Sequence, residues 1–199
     1  MNLFLSKKEW LFLLITLSVS RIFTVGFIEL ISINFVGGKS VFDLLCQWDC
    51  GWYLSIIQNG YDIRPHAHDA EDAANWAFFP LFPMLTRGIV DIFKIGAVES
   101  AFFLSTISFF CGCILLFKYL KTLFDEKTTK FIILAIAFSP LNLYFSVPYT
   151  EAVYFFLMIS VIYFCNERKW LMAGFLGVGL SLTRNLGVMI VFPMLIIKH

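Results

Sequence analysis

The stretch from Trp10 to Val36, WLFLLITLSVSRIFTVGFIELISINFV, is one apolar run broken by only two charges, Arg21 and Glu29. Its first half passes for a signal peptide, with Lys7 and Lys8 ahead of it and small residues at Ser18 and Ser20. The apolar pattern resumes after Arg21 and continues to Val36, so an uncleaved first membrane helix is the better reading. A charge at mid-membrane costs about 2.5–3.5 kcal/mol on insertion scales. Arg21 and Glu29 share a helix face, and they are expected to face the bundle interior or each other, most simply as a buried ion pair.

Composition extends this reading to the whole chain. Of 199 residues, 59% are hydrophobic and only 15% charged, against roughly 45–50% and about 25% in soluble domains. With 24 Phe and a mean hydropathy of +0.81, the chain is too apolar for a water-soluble core and reads as an all-α, polytopic membrane protein of one domain, residues 1–199. The net charge of +1 carries no information about partners, and no basic run points to nucleic acid. Of five cysteines, Cys111, Cys113 and Cys165 sit in apolar runs as small hydrophobes. Cys46 and Cys50 lie in a polar loop, where spacing alone leaves a disulfide open.

Downstream of the first run, residues 37–75 are polar and acidic, with Asp43, Asp49, Asp62, His66, His68, Asp69, Glu71 and Asp72 against Lys39 and Arg64. Ala77–Lys94 is apolar but broken by Pro80, Pro83, Arg87 and Asp91. Clear spans are expected at Ala97–Phe117 and Phe131–Val147, followed by shorter apolar pieces at Ala152–Cys165, Leu171–Leu182 and Leu186–Ile197. Pieces that fall short of the ~20 residues of a perpendicular span belong where they line a cavity or pack on protein. The positive clusters are Lys7/Lys8, Lys118–Lys130, Arg168/Lys169 and Lys198. All fall on one side, the cytoplasmic one by the positive-inside rule, if Ala77–Lys94 is a re-entrant or interfacial helix. The acidic loop then shares the opposite face with the turns at Pro148–Glu151 and Thr183–Asn185.

Those three loops carry the candidate chemistry. In Trp48-Asp49-Cys50-Gly51-Trp52-Tyr53, a carboxylate sits among aromatics; if helical, Asp49, Trp52 and Tyr53 share a face. The simpler reading is a helix-capping Asp beside interfacial aromatics; the sharper one is a general base. In Ala77-Phe-Phe-Pro-Leu-Phe-Pro83, the prolines resist a straight helix, which suits an aromatic anchor or a wall against a lipid tail. The segment Ser139-Pro140 to Phe145-Ser-Val-Pro-Tyr-Thr-Glu151 ends a span in a rigid turn, with Tyr149 just before Glu151. There the positive end of the next helix favours the anion. Ser181-Leu-Thr-Arg184-Asn-Leu-Gly187 isolates one arginine, by its planar fork a phosphate binder or, more simply, an interfacial snorkeller. Cys46, Cys50, His66 and His68 match no regular zinc spacing, and no metal site is expected. There is no phosphate-cradling glycine loop, G-x-S-x-G or HExxH.

A base, a second carboxylate and a phosphate-binding cation around a lipid-accessible cleft suit glycosyl transfer from a lipid-phosphate sugar. A phosphate leaves as a stabilised anion, so one Asp and one Arg suffice where a glycosidase needs two carboxylates. The set WDCGWY, Gly60-Tyr61, AFFPLFP, SP…FSVPYTEA and SLTRNLG, in order from about Arg21 to Pro193, resembles the PIG-V type mannosyltransferase family. Its eukaryotic members are the GPI mannosyltransferase 2 enzymes. The resemblance implies a GT-C helical bundle with a large first extracytoplasmic loop, residues 37–96, carrying interfacial or re-entrant helices. It implies inverting transfer of a hexose, mannose by expectation, from polyprenyl- or dolichyl-phosphate to a glycolipid or other hydroxyl acceptor. It maps the base to Asp49 and the second-loop acid to Glu151. Trp48, Trp52, Tyr53, Tyr149 and Arg184 are the candidate substrate- and donor-binding residues.

No cofactor beyond the lipid-linked donor is called for, with a divalent cation left open. Family members are longer, so the chain reads as the N-terminal part of such a module, with a separate C-terminal polypeptide as a candidate partner. Brevity and the lack of an endoplasmic-reticulum retention signal favour the bacterial inner membrane, or the endoplasmic reticulum for a eukaryotic protein. Two other readings compete: a polytopic transporter or lipid-handling protein with Arg21, Glu29, Asp49 and Glu151 along its path, and an inactive relic.

Overall fold

The computed structural model describes residues 5–65 and 73–198, and its regular elements are helical, with no strand among the described residues. His66, His68, Asp69, Glu71 and Asp72 lie outside them. Helix α1 (Lys7–Phe35) opens on a capping box in which the Ser6 hydroxyl accepts the Glu9 N–H and the Glu9 carboxylate accepts the Ser6 N–H. Its 29 residues reach about 44 Å, more than a bilayer core. Two short helices, α2 (Val41–Leu45) and α3 (Cys50–Asn59), follow, then α4 (Leu81–Phe93) and α5 (Ala97–Leu120). Among the described residues, α1 and α5 are the two helices long and apolar enough to cross a membrane. At 13 residues, α4 reaches only about 20 Å, too short to cross.

The remaining elements are α6 (Glu126–Ala137), α7 (Glu151–Asn166), α8 (Trp170–Ser181) and α9 (Val191–Lys198), with short 3₁₀ segments at Asn75–Ala77, Pro140–Phe145 and Asn185–Ile190. The expected span Phe131–Val147 is not one helix. It breaks after Ala137 because Pro140 has no N–H to continue the ladder; the Ser139 hydroxyl instead accepts the Leu141 N–H, and the Asn142 amide reaches back to the Ala137 carbonyl.

Helices α5 and α7 form the centre. Gly112 permits their approach: a Cβ there would lie 2.7 Å from the Phe155 ring. One core cluster joins Leu13 and Leu17 of α1 to Phe109, Cys113 and Phe117 of α5 and Ile133 of α6. A second, near the other end, joins Ile28, Leu45, Tyr53, Phe82, Val153 and Leu180, drawn from α1, α2, α3, α4, α7 and α8. Glu9 and Lys121 form an ion pair, which brings the start of α1 and the end of α5 to the same pole, with the lysine-rich α5–α6 corner. The Leu81 N–H donates to the Leu182 carbonyl at 3.0 Å, tying the start of α4 to the end of α8 at the opposite pole.

The expected Arg21–Glu29 pairing is absent. Arg21 is buried and directs Nη1 to Ser146 Oγ and Nη2 to Asn142 Oδ1, with its guanidinium 4.7 Å from the Phe109 ring centroid. Glu29 is exposed on the outer face. Arg21 therefore meets neutral oxygens and a ring face, which disperse its charge without a second buried ion.

Candidate functional site

The three loops singled out by their residues converge. Trp48, Asp49, Tyr53, Tyr149, Glu151 and Arg184 line one cavity of about 210 Å³, together with Tyr144 and Thr150. Five elements build it. The α2–α3 turn supplies Trp48 and Asp49, α3 supplies Tyr53, the 3₁₀ segment Pro140–Phe145 supplies Tyr144, the turn into α7 supplies Tyr149 to Glu151, and the turn after α8 supplies Arg184.

Asp49 stands immediately before α3, but with helical backbone angles (φ −67°, ψ −12°), and its side chain makes no capping bond. The capping explanation for this carboxylate therefore fails, and the group is left to the cavity. Trp48 holds a left-handed conformation at φ +44°, which for a bulky residue costs on the order of 1–3 kcal/mol. Its indole is 80% exposed. Two ties fix this turn. A disulfide links Cys46 to Cys50, and the Tyr149 hydroxyl donates to the Gln47 carbonyl at 2.7 Å. Burial, reinforced by the Asp49 and Glu151 charges, raises the Tyr149 hydroxyl pKa, so it stays protonated as that donor.

Tyr53 is buried beneath the cavity, its ring edge-on to Phe78 at 5.0 Å and Phe82 at 5.3 Å. Burial pushes its hydroxyl up to about 12, against the lowering effect of a side-chain hydrogen bond with Thr150. Trp52, expected on the same face, turns aside to stack on Phe78 at 6.0 Å and does not line the cavity.

Glu151 opens α7, and its Oε1 accepts from Arg184 Nη1 at 2.9 Å. Its Oε2 is buried and without a partner. Such an acceptor is costly to leave unmatched, and a ligand hydroxyl would satisfy it. Arg184 is placed by an extended residue (φ −156°, ψ 152°) ahead of a 3₁₀ turn. That turn packs so closely on α8 that a Cβ at Gly187 would sit 2.2 Å from the Leu180 carbonyl oxygen. Only one of the guanidinium's nitrogens is engaged by Glu151, which leaves donors for a further anion. Tyr144 and Glu151 also border a neighbouring cavity of about 480 Å³, otherwise walled largely by Ile136, Leu141, Phe145 and Phe155.

Sequence reasoning passed over Thr150 and Tyr144 and left the Cys46–Cys50 bond open. Thr150 and Tyr144 lie within the motif already singled out, but only the fold shows which side of that turn faces Asp49. The bonded state of Cys46 and Cys50 also leaves neither as a free thiolate for a metal.

The chain is 24% identical over 156 residues to GPI mannosyltransferase 2 of Schizosaccharomyces pombe, an alignment covering 75% of this chain and 31% of that protein. The chain thus spans about a third of that relative's length. No solved structure matches it. The family model for mannosyltransferase (PIG-V) matches residues 14–186, a range that holds Asp49, Glu151 and Arg184, and the chain belongs to that family.

Proposed function

We propose that the chain is the N-terminal part of a GT-C-type membrane glycosyltransferase that moves a mannosyl residue from a polyprenyl- or dolichyl-phosphate carrier to an acceptor hydroxyl, with inversion. The observation that carries this reading is the convergence of Asp49, Glu151 and Arg184 on one cavity. Asp49 takes the acceptor proton as the hydroxyl oxygen attacks the anomeric carbon. The carrier phosphate departs with the bonding electrons, its charge met by the free donors of Arg184. Glu151 orients that guanidinium through Oε1 and offers Oε2 to a sugar hydroxyl. Trp48 and Tyr53 supply aromatic surface to the sugar, and the apolar cavity beyond Tyr144 accommodates part of the carrier tail.

In this reading residues 37–96 form the first extracytoplasmic loop, α4 lies in the interface or re-enters, and the protein crosses the membrane several times. The shortness of α4 and the shared pole of Lys7, Lys8 and the α5–α6 lysines support that topology. So does the disulfide, a bond that belongs to an oxidising compartment. The alternative of a charged transport path finds no support, since Glu29 points outward and Arg21 is tied to Asn142 and Ser146.

The test is transfer from polyprenyl-phosphate mannose in membranes carrying the full-length protein. Asp49→Asn keeps the shape of the side chain and removes the base. Transfer lost with membrane insertion unchanged is the expected result; full activity would remove Asp49 from the role.

A further inference from the structure

The disulfide between Cys46 and Cys50 closes a ring of chain whose interior is Gln47, Trp48 and Asp49. Cys46 ends α2 and Cys50 begins α3, so the bond pins two helix ends against each other with the candidate base between them. Within the ring, Trp48 occupies a left-handed conformation that an unrestrained Trp avoids. Asp49 has no side-chain hydrogen bond to hold it in the capping position. Its aim is therefore set by the backbone, which is held by the disulfide, by the Cys50 N–H on the Gln47 carbonyl at 3.0 Å, and from outside the turn by the Tyr149 hydroxyl on the same carbonyl. Cys50 is fully buried and Cys46 packs beside the same core cluster as Tyr53 and Tyr149, so the ring is seated on the bundle rather than floating above it.

We propose that Cys46 and Cys50 are positioning residues: their disulfide holds Asp49 in the geometry from which it takes the acceptor proton. This rests on the reading of Asp49 as the base. Opening the ring leaves the short turn with two hydrogen bonds, both to the Gln47 carbonyl, from the Tyr149 hydroxyl and the Cys50 N–H, and Trp48 is then free to leave its left-handed conformation and carry Asp49 with it. A displacement of about 1 Å at a reacting group can cost on the order of 100-fold in rate. The cavity on the Arg184 side is untouched, so the hold on the carrier phosphate survives and the sugar loses only its contact with Trp48.

The experiment uses the full-length protein in membranes. Dithiothreitol reduces the bond: two electrons pass to the sulfurs of Cys46 and Cys50, which become thiols, and the reagent closes to its cyclic disulfide. Alkylation and mass measurement confirm that both thiols have formed. The expected result is a kcat lower by about 10- to 100-fold with a smaller rise in the KM for polyprenyl-phosphate mannose, both restored when oxidised glutathione re-forms the bond. The Cys46→Ser, Cys50→Ser double variant should show the same low kcat and no response to dithiothreitol. If that variant does not insert, reduction and re-oxidation of the folded wild-type protein decide the matter alone. Unchanged kcat after confirmed reduction, or unchanged amide exchange across residues 46–50, overturns the proposal. Asp49→Asn separates the two ideas: inactivity there beside full activity of the reduced protein sinks the disulfide's role alone, whereas full activity there sinks the assignment of the base.

Discussion

Arg184 Nη1 and Glu151 Oε1 meet at 2.9 Å across 33 residues of sequence, so the turn after α8 is locked onto the first residue of α7. Because the pair is partly exposed, with the Arg184 side chain 45% accessible, its worth to folding is expected to be below about 1 kcal/mol. Its worth to function is orientation. Arg184→Gln is expected to lower kcat about 100- to 1,000-fold, the cost of losing one preorganised donor at a developing oxyanion, with thermal unfolding in detergent nearly unchanged. Arg184→Lys, which keeps the charge but not the fork, should fall between. A large loss of thermal stability in Arg184→Gln would instead make the pair structural.

Tyr53 offers a pH test. Its hydroxyl titrates near 10 in an unfolded chain and is pushed up to about 12 by burial in the fold. A group with a raised folded value stabilises the fold fully below pH 10, and that contribution is lost as pH rises from about 10 to 12. Alkaline unfolding of the wild type should therefore begin in that window and be delayed in Tyr53→Phe. The phenylalanine variant loses one buried hydrogen bond, about 1 kcal/mol, at neutral pH. Difference absorbance of tyrosinate between the two proteins checks it: Tyr53 should be among the last tyrosines to ionise.

Gly187 is required by packing, not by an unusual φ. A methyl group there would be driven to 2.2 Å from the Leu180 carbonyl oxygen, which overpacks the α8 contact by about 1–3 kcal/mol. Since the same turn carries Arg184, Gly187→Ala should lower the unfolding temperature and transfer activity together. Activity retained in a destabilised protein would show that the turn is not what places Arg184.

Asn142→Ala should be among the more damaging single changes far from the cavity. It removes one of the two side-chain acceptors of a buried arginine and a donor to the Ala137 carbonyl. The expected cost is about 1–3 kcal/mol, read as thermal stability in detergent. Arg21→Met in the same background should recover part of it, because no charge is then left short of partners; an additive loss would argue against that.

Much of the fold was legible because hydropathy and breakers act locally. The Trp10–Val36 and Ala97–Phe117 runs became α1 and α5, and the three late apolar pieces became α7, α8 and the 3₁₀–α9 segment within a few residues. The error at Phe131–Val147 came from weighing apolarity above Pro140, whose missing donor ends the helix regardless of solvent. Asp49, Glu151 and Arg184 were legible as polar residues at loop ends, each with an ordinary explanation as a cap, a helix-end anion or a snorkelling cation. Their meeting in one cavity required only that three loops share a pole. Arg21 and Glu29 misled because spacing places two charges on one face without saying which way the face is turned. The Cys46–Cys50 bond was open in the sequence, since four residues of separation permit a disulfide without requiring one.

The Tyr149 hydroxyl reaches back 102 residues to the Gln47 carbonyl, and Arg184 comes a further 33 residues after Glu151. Synthesis runs in the same direction, so the ribosome delivers the wall that bears Asp49 first and the one that bears Arg184 last. Until Tyr149 has emerged the turn around Asp49 lacks its long-range tie, and until the turn after α8 has emerged Glu151 lacks its Arg184 partner. The disulfide spans a sequence separation of only 4, so it is the first covalent tie of this cavity within reach of a growing chain, and the oxidation of two neighbouring thiols can precede the arrival of both other walls.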